Sequence, residues 1–211
     1  MRSTSKKAKP SAESPNQLSV LANFGEYRFR EPAQVKESFR PLTVESLYQW
    51  FGDRTWPSYE VVAAEAVPPP YYQLLVHHDH MTVTLENYYG GPVRLRVLAR
   101  RRENSWYGRK ILLSRPSRVV QFGISRIDLD LCSPGVRDAI LREAMPLGTV
   151  LIEHNVLRNI EPCAFLRLMP DEMMCVWFGL SEPRETFGRL ALIHWDSRPA
   201  VELLEVLAPI C

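Results

Sequence analysis

The 211-residue chain has no run of apolar residues near the roughly 18 that a membrane-spanning helix needs. Its first residues also lack the apolar core that marks a secretion signal. An unexported protein with no membrane partner is expected. Cysteine is sparse: Cys132, Cys163, Cys175 and Cys211 are far apart and form no C-x-x-C pair, which argues against a zinc ribbon or a thioredoxin-like motif. A reducing cytoplasm is the expected location. Charge of one sign is lacking too. With 26 Lys and Arg against 24 Asp and Glu, the formal net charge is +2, so any preference for anions has to be local. Regular alternation of strand and helix is missing, as is any internal repeat, so neither a doubly wound parallel sheet nor a solenoid is indicated.

What is present is a 45% hydrophobic composition, enough for one globular domain with a full core. Residues 1–20, "MRSTSKKAKPSAESPNQLSV", are polar, basic at the start and poor in large apolar groups, so they cannot repay the entropy of ordering. A disordered basic tail is expected there, followed by one domain over 21–211. "LTVESLYQWFG" has apolar residues at helical spacing, and a second helix is predicted from about His80 to Tyr89, with Asp79 as N-cap and Gly90 and Gly91 as its stop. Three strands joined by short polar turns are predicted at Val93–Arg100, Tyr107–Ser114 and Arg118–Leu129. "SPGVRDAILREA" reads as a capped amphipathic helix, and "GTVLIEH" as a short one. Three more strands are predicted in "IEPCAFLRLM", "GRLALIHW" and "AVELLEVLA", the last two joined at the turn "DSRP". The expected class is α+β: one domain with an antiparallel sheet of about six strands and helices packed on one side.

Two residues break this pattern. In "WYGRKILL", Arg109 shares its strand face with Tyr107, Ile111 and Leu113, an odd setting for a permanent charge. In the last strand Glu205 shares a face with Val201, Leu203 and Leu207. Each charge needs a partner or water. Either the two pair as a buried salt bridge, or they stand at opposite ends of a pocket and hold a polar ligand between them.

The ordered segments "HMTVTLENYYGGPVRLRVL", "RKILL", "QFGISRIDL", "PLGTVL" and "ELLEVLAP" resemble the chorismate pyruvate-lyase family, in its broader and less characterised branch. The resemblance runs from about Tyr72 to Pro209. It implies a chorismate lyase-like fold with a small internal cavity under flaps, a cytoplasmic enzyme converting chorismate to 4-hydroxybenzoate and pyruvate, and no metal or organic cofactor. It also implies that Arg109 grips the ring carboxylate, that Glu205 lies near the ring 4-oxygen, that Met81 and Leu147 belong to the flaps that close over the ligand, and that Thr82 joins them in binding it. Lys110 stands where the family often has glutamate, and one extra residue between Pro199 and Glu205 leaves Glu202 as a rival; the E-x-x-x-P spacing favours Glu205.

"HHDH" (His77, His78, Asp79, His80) holds metal-ligand types, but four adjacent residues cannot all face one ion, so these side chains are expected to line the loop into the pocket. Arg94, Arg96, Arg100, Arg101 and Arg102 lack any accompanying aromatic platform, and a solvated sheet face is expected rather than a nucleic-acid site. A monomer or weak dimer is expected. The competing function is a non-catalytic module binding an aromatic carboxylate, because effector domains of some bacterial transcription regulators resemble the same fold. The expected tail and short first helix leave little room for the winged helix that precedes such domains.

Overall fold

The structure, a computed structural model, describes residues 42–210. The expected tail (1–20) and the first part of the expected domain (21–41) lie outside the described residues. Thr43 opens the first helix with a reciprocal cap: its hydroxyl accepts from the Ser46 amide at 3.1 Å, and the Ser46 hydroxyl accepts from the Thr43 amide at 3.1 Å. In chain order the elements are α1 (Val44–Trp50), β1 (Ser58–Val62), α2 (Tyr71–Leu75), α3 (Met81–Tyr89), β2 (Arg94–Glu103), β3 (Trp106–Arg115) and β4 (Arg118–Asp128). Then come α4 (Pro134–Arg142), α5 (Leu147–Glu153), β5 (Arg158–Met169), α6 (Glu172–Phe178), β6 (Thr186–Trp195) and β7 (Arg198–Leu207).

All seven strands form one sheet in the order β1-β5-β6-β7-β4-β3-β2, with every neighbouring pair antiparallel. The domain is α+β, as expected. The strand beyond the expected six is β1, a five-residue edge strand whose residues are all at least partly exposed, which leaves no apolar alternation to read. The "DSRP" turn is a two-residue hairpin loop between Trp195 and Arg198, with positive φ at Asp196 and Ser197.

Alternation sorts the core into two layers. On one face Tyr107, Ile127, Ile193 and Val201 pack against α4 and α5, while Leu113, Phe187 and Leu207 pack against α2 and α3. These four helices form the expected helical side and cover the site. On the other face Leu112, Phe122, Leu190 and Val206 meet the short helices α1 and α6. The expected N-cap is corrected: His80, not Asp79, precedes Met81, and no side chain caps α3. The amide of Asp79 is instead bonded to Nδ1 of His77 at 3.1 Å, so the segment before α3 is a turn held by the histidine. Gly90 ends α3 with φ +68°, as the sequence predicts. Among the described residues no helix is long and apolar enough to cross a membrane.

Candidate functional site

β3, β4 and β7 lie side by side, and their register places the two anomalous charges. Arg109 pairs with Ser125, which pairs with Leu203; Ile111 pairs with Gly123, which pairs with Glu205. Arg109 and Glu205 are therefore two strands apart and two residues out of step, with backbones separated by roughly 12 Å from standard sheet spacings. Between them the side-chain layer over the sheet has a gap at Gly123. A Cβ added at Gly123 would lie 3.3 Å from Cγ1 of Ile111 and 3.5 Å from Nε2 of Gln121, so the bare glycine is what leaves the floor open.

Above this floor sits a cavity of about 50 Å³, roofed by His80, Met81 and Thr82 at the start of α3 and by Pro146, Leu147 and Gly148 at the start of α5. The two roof segments meet closely at Gly148, where a Cβ would come within 3.0 Å of the Thr82 hydroxyl, so this glycine lets α5 approach α3. Arg109, Glu205, Met81, Thr82 and Leu147 all line the same cavity.

Arg109 is 1% exposed, and none of its three guanidinium nitrogens has a hydrogen-bond partner among the described residues. Burial pulls its pKa below the ordinary arginine value, and the nearby Tyr107 and Glu143 partly offset this. Glu143 is itself occupied: it accepts from the Tyr107 hydroxyl and pairs with Arg100 at 3.1 Å. The pairing of Arg109 with Glu205, one of the two alternatives left by the sequence, does not occur. Glu205 is bound instead by Arg189, whose Nε donates to its Oε2 at 2.6 Å. Arg189 also donates to the carbonyls of Leu75 and His77, both at 3.0 Å, and so ties the segment before α3 to the sheet.

The rival carboxylate, Glu202, faces away from the cavity and pairs with Arg126, its direct cross-strand neighbour, at 2.6 Å from Nε. Burial raises its pKa and Arg126 draws it back. Lys110 likewise points to the opposite face, against Asp53 and the rings of Tyr48 and Phe51. Of the histidines, His80 lines the cavity and accepts from Arg158, and burial, followed by Arg158 and Arg189, lowers its pKa to about 4. His78 is bonded to the Ile160 carbonyl at 2.9 Å and His77 to that of Leu74 at 2.8 Å, so each is held separately. Among the described residues no three His, Cys, Asp or Glu side chains gather as a metal ion would require.

No family model matches the chain, and no curated protein matches it. Solved structures do. PhnF from Mycobacterium smegmatis aligns at TM-score 0.47 and 10% identity over 63% of this chain and 65% of PhnF, so the chain spans about two thirds of that protein. The effector domain of the same protein aligns at TM-score 0.47 and 10% identity, over 62% of this chain and 88% of the domain. A GntR-family transcriptional regulator from Bacillus cereus aligns at TM-score 0.41 and 11% identity, over 56% of this chain and 92% of the regulator. Likenesses of this size leave the ligand to be read from the site itself.

Three site residues escape the motif-based reading: Arg189, Gln121 and Ser125. The carbonyl oxygen of Gln121 and the hydroxyl of Ser125 are buried without a partner among the described residues, and both line the cavity with Arg109. Their signal lies in "QFGIS", where Gln121, Gly123 and Ser125 alternate as a polar or small row within an apolar strand. Arg189 carries the same signal as Arg109, a guanidinium in the row of Phe187, Ala191 and Ile193.

Proposed function

We propose that the chain binds a small aromatic or cyclic carboxylate in this cavity, with the ligand carboxylate on Arg109 and its hydroxylated end toward Glu205. The observation that carries this reading is the buried guanidinium facing a cavity, its three nitrogens unpaired among the described residues. A fixed charge held there without an anion is costly, and a carboxylate matches its planar fork with two hydrogen bonds. The apolar walls, Ile111, Leu113, Leu203 and Ile193, suit a ring. An apolar cavity on the order of 150 Å³ holds a benzene ring, so this smaller cavity has to widen to take up the ligand.

A second reading, turnover, is favoured by Glu205, whose Oε1 is left over after Arg189 takes Oε2. With chorismate the ether bond at ring C3 breaks, the enolpyruvyl group leaves as enolpyruvate and becomes pyruvate, and the C4 hydrogen is lost as a proton. The ring becomes aromatic and keeps its hydroxyl. Arg109 would orient the ring, and Glu205 would hold the hydroxyl or take the proton.

One experiment separates the readings: incubate the pure chain with chorismate, follow pyruvate and 4-hydroxybenzoate, and measure 4-hydroxybenzoate affinity by calorimetry. Stoichiometric release of both products makes it a lyase. Binding without release makes it a binding module. No affinity for any benzoate refutes the proposal.

A further inference from the structure

Gln121 is 2% exposed, on the cavity face of β4, and its carbonyl oxygen is buried without a hydrogen-bond partner among the described residues. Its nitrogen lies over the Gly123 gap, 3.5 Å from where a Cβ would stand. A buried unpaired amide oxygen is costly. Leucine or methionine would fill the same place without that penalty, with Leu113 and Leu207 as the cross-strand neighbours.

Position along the strand says which part of a ligand the amide meets. Ser125, beside Arg109, lies two residues further along β4 than Gly123, or about 7 Å in an extended chain. That is close to the length of a benzene ring with a polar atom at each end. Gln121 is also the diagonal neighbour of Glu205, since Gly123 pairs with Glu205 and Gln121 with Leu207. An amide and a carboxylate therefore converge at the end of the cavity away from Arg109.

We infer that Gln121 is a specificity-determining residue that selects, among cyclic carboxylates, those carrying a hydroxyl at the end opposite the carboxylate. This rests on the reading that Arg109 holds the ligand's carboxylate. A hydroxyl both donates and accepts, so it can satisfy the amide oxygen or nitrogen while donating to the free oxygen of Glu205. A group that only accepts would face the Glu205 carboxylate, and an unsubstituted ring would leave the amide oxygen unpaired. Sites built to bond a substrate hydroxyl discriminate strongly against the analogue that lacks it.

The test is a calorimetric comparison of 4-hydroxybenzoate and benzoate binding to the wild-type chain, Gln121→Leu and Arg109→Met. The wild type should prefer the hydroxy acid by about tenfold or more. Gln121→Leu should cut that preference at least fivefold through weaker hydroxy-acid binding, with benzoate bound as well as before or better. Gln121→Met, closer in shape, serves the same purpose if leucine disturbs packing. Arg109→Met should weaken both ligands alike. An unchanged preference in a folded Gln121 variant overturns the specificity role while leaving the Arg109 reading intact. If the wild type binds neither acid, both readings fall.

Discussion

Replacing Arg109 by methionine should make the protein more stable and leave it unable to hold its ligand. The side chain is 1% exposed, with its three nitrogens unpaired among the described residues, whereas its flanking residues on the same face, Tyr107 and Ile111, are largely apolar. A buried polar group without a partner costs about 1–3 kcal/mol, and a charged one more. Replacing buried ionic groups by apolar ones of like volume has stabilised proteins by roughly 1–4 kcal/mol. Water reaching the cavity recovers part of the cost, so a net gain of about 2 kcal/mol is expected for Arg109→Met. In a chain of this size each kcal/mol moves the midpoint by about 2–4 °C, so Tm should rise by about 4–8 °C in a calorimetric scan. Ligand affinity should move the opposite way, because losing a buried charge-assisted pair costs about 2–5 kcal/mol, or about 30-fold to several thousandfold in Kd. Arg109→Lys keeps the charge but not the fork and should also bind poorly. A variant that melts several degrees lower and binds benzoates normally would refute the reasoning, because Arg109 would then be held by the fold.

Glu202→Gln and Glu205→Gln should each lower stability by about 1–3 kcal/mol through their buried partners Arg126 and Arg189, but only Glu205→Gln should weaken 4-hydroxybenzoate and slow any turnover; calorimetric scans and titrations of both variants check this, and weakened binding in Glu202→Gln with normal binding in Glu205→Gln refutes the assignment. Gly123→Ala should lower 4-hydroxybenzoate affinity at least tenfold with little change in Tm, since its Cβ would fill the cavity floor against Ile111; normal binding would show that the floor is not in contact with the ligand. His80 has its folded pKa lowered to about 4 from the ordinary histidine value of 6.5, by burial first and then by Arg158 and Arg189. Between those values the unfolded chain binds the extra proton, so His80 favours folding above pH 6.5 and loses that contribution as pH falls toward 4. The fall in Tm over this interval should be shallower in His80→Gln, and an equally steep fall would exclude His80 as a contributor.

The sheet was readable because most strands alternate cleanly between two buried faces or end at strong turn residues. β2, β3 and β4 differ from their expected limits by three residues or fewer at any end. The missed elements are those whose order comes from tertiary contact. α2 follows three prolines, which read as a break, yet Pro70 stands immediately before its first turn, where a missing amide proton costs nothing. α6 is one seven-residue helix started by the Asp171 side chain, which accepts from the Met174 amide at 2.8 Å. The two small helices on the far face also escape a plan with helices on one side, because a strand buried on both faces looks much like one buried on one face with a few apolar residues outside.

The two buried arginines show where reading the sequence ends. Arg109 and Arg189 have the same signature: a guanidinium in an apolar row of a central strand, each 1% exposed. One is fully served by the fold, through Glu205 and the carbonyls that lead into α3. The other is served by nothing the described residues supply. Parity can find both charges, but it cannot say which is answered, because the answer for Arg189 comes from backbone more than 100 residues away in sequence. Backbone carbonyls carry no sequence signal, and although Arg189 faces Glu205 directly across the β6–β7 hairpin, the register shift between Ile193 and His194 hides that pairing from counting back from the turn. The difference has a physical consequence. Removing Arg189 should release the segment before α3 and destabilise the fold, whereas removing Arg109 should relieve it, and the opposite signs of these two effects separate an arginine that builds the protein from one kept for a ligand.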